Sequence, residues 1–232
     1  MPDFSNTFDP DRLIRETAER IQREACTPLP VLAAAADQLE QIAAASPDRP
    51  RRACRAGCSA CCHLAVSVTI PEALWMAAEL TRRLTPQQLV NVSAKIRATS
   101  TQISHLTIEN RAKIRIPCAL LGTDGACTIY DFRPLGCRGW TSFSKEDCDR
   151  ALAEAEPGHS GAMDRVLWQA AGAVTEGVQT GLRGAGLDAG HYEFHAALLC
   201  ALETPQAAER WANHEPIFTD CPRVQSAKLA KP

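Results

Sequence analysis

Eight of the eleven cysteines fall into two short stretches, and this grouping constrains the fold more than any other feature of the chain. The first stretch has the pattern Cys54-x3-Cys58-x2-Cys61-Cys62, and the second has Cys118-x8-Cys127-x9-Cys137-x10-Cys148. Spacings this short let several thiolates meet at one metal ion with little loop-closure cost. We therefore predict a shared metal centre with these ligands: Cys54, Cys58, Cys61, Cys62, Cys118, Cys127, Cys137 and Cys148.

The adjacent pair Cys61 and Cys62 bears on how many metals are held. Neighbouring side chains tend to diverge, so both thiols rarely serve one mononuclear tetrahedral site. Two nearby ions, or one polynuclear cluster, would use such a doublet more naturally. Arginines close to the cysteines can stabilise thiolates and tune a cluster, although the same arginines could simply solvate a loop. They are Arg51, Arg52, Arg55, Arg133 and Arg138.

Inert buried thiols and disulfide bonds are the two alternatives to metal ligation. The chain begins Met1-Pro-Asp-Phe-Ser-Asn, without the basic and apolar regions of a secretory signal, so we expect a cytoplasmic protein. Thiols stay reduced in the cytosol, which disfavours disulfides. Metal binding is therefore the preferred interpretation of the eight cysteines.

Composition excludes several other classes of protein. Apolar residues make up 45% and charged residues 22% of the chain, as in ordinary folded domains. The net charge of −2 gives no drive toward nucleic acid. No segment approaches the roughly 20 apolar residues of a membrane span. We expect a metal ion or cluster as ligand, a protein as a further partner, and neither nucleic acid nor membrane.

Abundant alanine and few β-branched runs favour a mainly α fold. We predict helical flanks packed around a metal-organised, cysteine-rich irregular core with at most a short β-hairpin, at 121–130. The proline-rich segment 46–52 marks a boundary. The predicted division is an N-terminal helical segment (1–46), a metal-binding domain (47–150) and a C-terminal helical segment (151–232). The predicted helices are about 10–25, 31–45, 71–84, 86–113, 162–182, 191–202 and 205–213.

The remaining cysteines and histidines carry weaker predictions. Cys26, Cys200 and Cys221 are interpreted as buried or incidental, with Cys221 the best candidate for an extra ligand or exposed thiol. His63 follows the doublet and could ligate a metal or hydrogen-bond a sulfur. The pair His191 and His195, four residues apart on a predicted helix, is interpreted as ordinary histidines of one helix face.

The cysteine pattern as a whole resembles a known family. Cys54-Arg-Ala-Gly-Cys58-Ser-Ala-Cys61-Cys62, then Cys127-Thr-Ile-Tyr130 and Arg133-Pro-Leu-Gly-Cys137-Arg138, is similar to the YkgJ-type cysteine-cluster family. The first gap holds three residues where many members have two. The resemblance implies zinc or iron chelation, and a relative with this cluster acts in lysine methylation of flagellin.

Three functions remain open from the sequence. The first is a cysteine-ligated iron–sulfur cluster, or mononuclear iron or zinc, in a redox or modification-enzyme component. The second is a structural zinc module that mediates protein–protein interaction without catalysis. The third is a thiol–disulfide sensor that pairs Cys58 with Cys61. No general base or nucleophile is identifiable, so the sequence assigns no reaction.

Overall fold

Helices account for most of the residues that the computed structural model describes, namely 8–24, 28–106, 108–154 and 162–224. This confirms the mainly α fold. The helices are α1 (Pro10–Arg23), α2 (Pro28–Ala45), α3 (Ile70–Arg83), α4 (Pro86–Ile103), α5 (Ile108–Lys113), α6 (Leu135–Gly139), α7 (Lys145–Ala153), α8 (Arg165–Gly184), α9 (Phe194–Glu203) and α10 (Ala207–Ala212). Single turns of 3-10 helix span Arg49–Arg51, Ala60–His63 and Tyr130–Phe132.

Three very short strands form one antiparallel sheet in the order β1 (Ser67–Val68), β2 (His191–Glu193) and β3 (Arg223–Val224). Ser67 pairs with Glu193, and Tyr192 pairs with Arg223. The sequence predicted no strands here, because two or three residues are too few to show a period-two pattern. The sheet ties the end of the first cysteine stretch to the C-terminal part of the chain.

The predicted hairpin at 121–130 is reduced to a turn. Leu121 and Cys127 form an isolated antiparallel bridge, and the Gly122 amide donates to the Ala126 carbonyl at 2.8 Å. Gly125 turns the chain with φ +77°, a conformation that favours glycine. The loop therefore brings Cys127 back toward Cys118 without extended strands.

Side-chain caps explain where the long helices begin. Asp9 accepts hydrogen bonds from the Asp11 and Arg12 amides ahead of α1. Thr85 and Gln88 form a capping box at α4, with Pro86 in the first turn. The helix predicted over 86–113 is two helices, because α4 ends at Ile103 and α5 begins at Ile108.

The core is built where α1 and α2 pack against α8, and α3 against α9. The cysteine-rich segment also contributes to it, through these buried side chains: Leu120, Ile129, Phe132 and Leu135. Helix α6 packs on α2 and α8, so Cys137 is carried by an element anchored in the core. Among the described helices, none has the length and apolar character of a membrane span.

Candidate metal centre

The two cysteine stretches lie against each other. The Cys118 amide donates to the Cys62 carbonyl at 2.8 Å, and the Ala53 amide donates to the Ser142 carbonyl at 2.9 Å. A third contact joins the loop tips, where a Cβ on Gly125 would lie 3.0 Å from the Gly57 carbonyl oxygen. The fold thus brings residues 53–62 and 118–148 together, as a shared site requires.

Local turns set the direction of the first stretch. Gly57 has φ +82°, and the Cys58 amide closes a turn on the Arg55 carbonyl at 3.0 Å. The following 3-10 turn, Ala60–His63, carries the doublet and packs against α7, the helix that contains Cys148. Close spacing in sequence and this packing together bring four cysteines of the site to one side.

Cys54, Cys58 and Cys148 form what we call the outer group. The Ser142 amide donates to Cys54 Sγ at 3.3 Å. Burial raises the pKa of the Cys54 thiol, and the negative charge that Cys58, Cys61 and Cys148 acquire on ionisation raises it further. The Cys54 sulfur is therefore close enough to the other three sulfurs to be repelled by them as thiolates.

Cys118, Cys127 and Cys137 form the inner group. Burial raises the pKa of Cys118 to about 11, with a further contribution from Cys127. Burial also raises the pKa of Cys137, and the thiolates of Cys61, Cys118 and Cys127 raise it more. Buried thiols that repel each other when ionised favour a cation in their midst.

The doublet stands between the two groups. A hydrogen bond between the two thiols is the main cause of the raised pKa of Cys61, followed by burial. Cys61 affects the pKa of Cys54 on the outer side and of Cys137 on the inner side. Cys61 and Cys62 are thus the part of the sequence pattern that links the two sets of thiols.

The thiols lie in one region of the structure, but they do not surround a common point. Among the described residues, no three His, Cys, Asp or Glu side chains have the arrangement needed to hold one metal ion. Cys54 is exposed, and the other seven cysteines of the two stretches are half-buried free thiols. Ligation would therefore require the side chains to turn toward a common centre.

A small cavity beside the doublet fits an ion of this kind. It has a volume of about 40 Å³ and is lined by Cys61, Cys148 and Thr141, among others. This volume exceeds the roughly 10–15 Å³ that a single water needs. The buried Thr141 hydroxyl has no hydrogen-bond partner within the described part of the chain. Two thiols and an unsatisfied hydroxyl supply part of the donor set that zinc or iron requires.

Arg133 is the arginine that faces the thiols. Its positive charge lowers the pKa of Cys61, Cys127 and Cys137, partly opposing the effect of burial. The guanidinium lies 3.9 Å from the Tyr130 ring centroid, and its buried Nε has no hydrogen-bond partner among the described residues. Arg133 can therefore stabilise negative charge on the inner group.

The other predicted arginines make structural contacts, and the positive charge of Arg138 also lowers the pKa of Cys127. Arg138 is buried and bonds Glu40 at 2.6 Å, and Arg52 bonds the buried Asp164 at 2.8 Å. Arg51 is exposed, bonds Asp48 and stacks over a phenylalanine. Arg55 is exposed.

The interpretation of His191 and His195 as one helix face is wrong. His191 lies on β2, where its Nδ1 is 3.3 Å from Ser67 Oγ, and only His195 lies on α9. The chain pairs with β1 before it turns into the helix, and the sequence showed only the helical spacing. His63 places Nδ1 3.1 Å from the Ser59 carbonyl oxygen.

His195 instead holds the backbone next to the inner group. It is 3% exposed, its Nδ1 lies 3.0 Å from Glu193, and its Nε2 accepts a hydrogen bond from the Ala119 amide at 3.3 Å. This fixes the backbone immediately after Cys118. This contact could not be predicted from sequence, because Ala119 and His195 are 76 residues apart.

Arg111 joins the two stretches by their backbones. Its guanidinium donates to the carbonyls of His63 at 3.3 Å and Ile116 at 3.3 Å, just beyond the doublet and just before Cys118. Arg111 is buried, and burial lowers its pKa. Sequence analysis missed this residue, since it lies outside both cysteine stretches.

Of the three remaining cysteines, the two that the structure describes are separate from this site. Cys26 lies outside the described residues. Cys200 and Cys221 are half-buried free thiols that line a groove between α9 and the residues before β3.

Residues 53–151 match the family model CxxCxxCC, which is described as a "putative zinc- or iron-chelating domain". The match contains all eight cysteines of the two stretches and confirms the resemblance found in the sequence. No curated protein and no solved structure matches the chain significantly.

Proposed function

With residues 53–151 identified as a cysteine-cluster domain of this zinc- or iron-chelating family, we propose that the chain binds metal through its eight clustered cysteines. The contact between Cys62 and Cys118, together with the mutual repulsion of the surrounding thiolates, carries the proposal. We assign four sulfurs to each half of the centre. One half is the outer group with one cysteine of the doublet, and the other half is the inner group with the second cysteine of the doublet. Cys61 completes the outer group, and Cys62 completes the inner group.

Charge supports a centre of this size. A divalent ion held by four thiolates carries a net charge of −2, which a buried site must offset. Arg133 faces the inner group, and Lys145 lies near enough to Cys58 for the thiolate to raise its pKa. A basic side chain therefore lies close to each of the two groups. When bound, the metal would supply either electron transfer, as iron–sulfur or iron, or a rigid crosslink, as zinc.

A redox or modification-enzyme component is the function that we favour. A groove of about 820 Å³ lies behind the inner group, and both Arg111 and Glu193 line it. The same two residues hold the backbone on either side of Cys118, directly or through His195. Small-molecule sites are concave and of this volume. A substrate bound in the groove would lie one layer of side chains from the metal ligands.

A structural zinc module is the second candidate, and the composition of the core favours it. The cysteine-rich segment contributes buried Ile129, Phe132 and Leu135 but contains only short helices and turns. Metal binding contributes directly to folding free energy where regular structure is short. In this case the centre would hold the α6 region on α2 and α8 without chemistry.

Anaerobic purification followed by elemental analysis, sulfide assay and a visible spectrum separates the two candidates. Iron with inorganic sulfide and visible absorption supports the redox component, whereas two colourless zinc ions per chain support the structural module. A chain that binds neither zinc nor iron under these conditions would contradict metal binding itself.

Variants then test the division of the thiols. Cys137→Ser should remove the metal of the inner group, and Cys148→Ser that of the outer group, each with a loss of about half the zinc or a change in cluster spectrum. Cys200→Ser is the matched control, because Cys200 lies outside both groups. Full metal content in Cys137→Ser would contradict its assignment as a ligand.

A further inference from the structure

Two thiols outside the metal centre line the same groove. Cys200 lies on α9, and Cys221 lies two residues before β3. The groove runs between α4, α9 and the residues leading to β3, and Ile103, Leu199 and Ile217 form part of its apolar wall. Neither cysteine has a position in the two clustered stretches, so metal ligation there does not explain them.

The backbone holds both thiols at one turn. Cys200 Sγ donates to the Ile217 carbonyl at 3.1 Å, which fixes the α9 thiol against the start of the turn. The next carbonyl, of Phe218, accepts a hydrogen bond from the Cys221 amide at 3.2 Å, so residues 218–221 fold back on themselves. Both thiols therefore line the groove next to the turn 218–221.

Their electrostatic environment keeps both thiols protonated. Burial raises the pKa of Cys221 to about 12, with further contributions from Cys200 and Glu193. Burial also raises the pKa of Cys200, the Thr204 hydroxyl lowers it, and Glu203 and Asp220 raise it. Because the site disfavours thiolates, it does not stabilise the ionised reduced form. A disulfide carries no charge, so burial does not disfavour it on electrostatic grounds.

We propose that Cys200 and Cys221 form a reversible disulfide that is independent of the metal centre. The oxidant is a low-molecular-weight disulfide of the glutathione class. Cys200, which the Thr204 hydroxyl faces at 3.9 Å, loses its proton and attacks one sulfur of that disulfide, and the first glutathione leaves as a thiol. Cys221 then attacks the Cys200 sulfur of the mixed disulfide. The second glutathione leaves, and the two protons end on the two glutathione thiols.

The bond would tie α9 to the segment that carries β3. It joins the two walls of the groove across the turn at 218–221, so the oxidised protein has a groove with a fixed width. Reduction removes this covalent tie and leaves the segment held by its pairing with β2. The modification would thus control access to the space behind the inner group.

Peptide mapping tests the proposal on the full chain loaded with its metal. The protein is incubated with oxidised glutathione at pH 8, alkylated and cleaved with trypsin, which places Cys200 in residues 184–210 and Cys221 in residues 211–223. We expect these two peptides to be joined, and a reductant to separate them. The rate should rise about tenfold per pH unit below the thiol pKa values, since the thiolate is the attacking species. Both cysteines alkylated separately after prolonged oxidation, or joined only to cysteines of residues 54–148, would overturn the proposal.

Single and double variants make the test independent of the metal centre. Cys200→Ser and Cys221→Ser should each lose the joined peptide, and the oxidised wild-type chain should melt at a higher temperature than either variant. The double variant should keep the metal content of the wild type. Loss of metal in the double variant would place these thiols in the metal centre and would overturn the proposal, whereas a failure of metal binding in the wild type would bear only on the proposed function.

Discussion

Glu72 shows how a single buried carboxylate connects the helical flank to the cysteine-rich segment. The side chain is 2% exposed at the start of α3 and accepts hydrogen bonds from the Thr69 amide at 2.8 Å and the Thr69 hydroxyl at 2.9 Å. Its other oxygen accepts from the Leu135 amide at 2.9 Å, at the start of α6. One residue thus caps α3 and holds the helix that carries Cys137.

Replacing this carboxylate should strongly destabilise the protein. Glu72→Ala leaves buried donors without a partner, and we expect a loss of about 2–4 kcal/mol in the free energy of unfolding, measured by urea titration. Glu79→Ala on the same helix is the control, because the bonds that Glu79 makes within the described chain go to the exposed Arg82 and Arg83, and its loss should stay below about 1 kcal/mol. Equal losses in the two variants would contradict the structural role of Glu72.

The buried thiols predict how stability changes with pH in the metal-free protein. The pKa of Cys118 is raised from 9.0 to about 11 in the folded chain. As pH rises above 9, the unfolded state loses its proton first, so the stability present below pH 9 falls through pH 11, by up to about 3 kcal/mol for this thiol. Chelated protein should show this fall in its urea midpoint, and metal-bound protein, whose thiols are already deprotonated, should show less of it. A constant midpoint for the chelated protein from pH 8 to 11 would contradict burial of the inner group.

At the residue scale, features that depend on short gaps in the sequence could be predicted. Contacts between residues far apart in the sequence could not. The grouping of the cysteines could be predicted because it depends on gaps of a few residues. The roles of Glu72, Arg111 and His195 could not, because each also bonds a partner 48 to 76 residues away, and that bond defines its role. The ligand set itself stays a prediction for all eight cysteines.

At the scale of elements, the tight contact between α1 and α8 holds the helical flanks together. Gly177 and Gly181 of α8 face α1, and a Cβ on Gly181 would lie 2.6 Å from both the Ala18 carbonyl oxygen and Ile21 Cβ. The backbones can approach this closely only because glycine has no side chain. The sequence predicted a helix over about 162–182, and both glycines lie inside α8.

Two glycine substitutions in α8 should therefore have opposite signs. Gly181→Ala should lower the free energy of unfolding by about 1–3 kcal/mol, because α1 must move away. Gly172→Ala has no atom within 4 Å of the new Cβ, so helix propensity alone applies and stability should rise by about 0.5–1 kcal/mol. Thermal and urea unfolding of the two variants measure both changes, and stabilisation by Gly181→Ala would contradict the close contact.

Long helices with caps were predicted within a few residues, as α1, α3 and α4 show at their starts. The strands were not, since β1, β2 and β3 are defined by pairing between distant segments and have no pattern of their own. For the same reason His191, which lies on a strand, was predicted to lie on a helix.

For the whole molecule, the segment that matches the family model shares its core and its sheet with elements outside it. Residues 53–151 leave out α8, which covers α6, and β2, which pairs with β1. Expressed alone, this fragment would expose Leu135 and Val68, both 0% exposed in the full chain. We expect it to show no cooperative thermal transition by circular dichroism without metal, whereas the full chain does. A fragment that unfolds cooperatively when metal-free would contradict this expectation.

The position of α8 and α9 after the last clustered cysteine has a consequence for biosynthesis. Cys148 leaves the ribosome before either helix exists, yet α8 later packs on the element carrying Cys137, and α9 later fixes the backbone beside Cys118. At that stage neither α8 nor α9 covers any of the eight sulfurs, whereas in the finished protein Cys54 is exposed and the other seven are half-buried. Metal supplied during translation should occupy both the outer-group and the inner-group sites. Metal supplied to the folded apoprotein should bind quickly at the outer group, which contains the exposed Cys54, and slowly at the inner group.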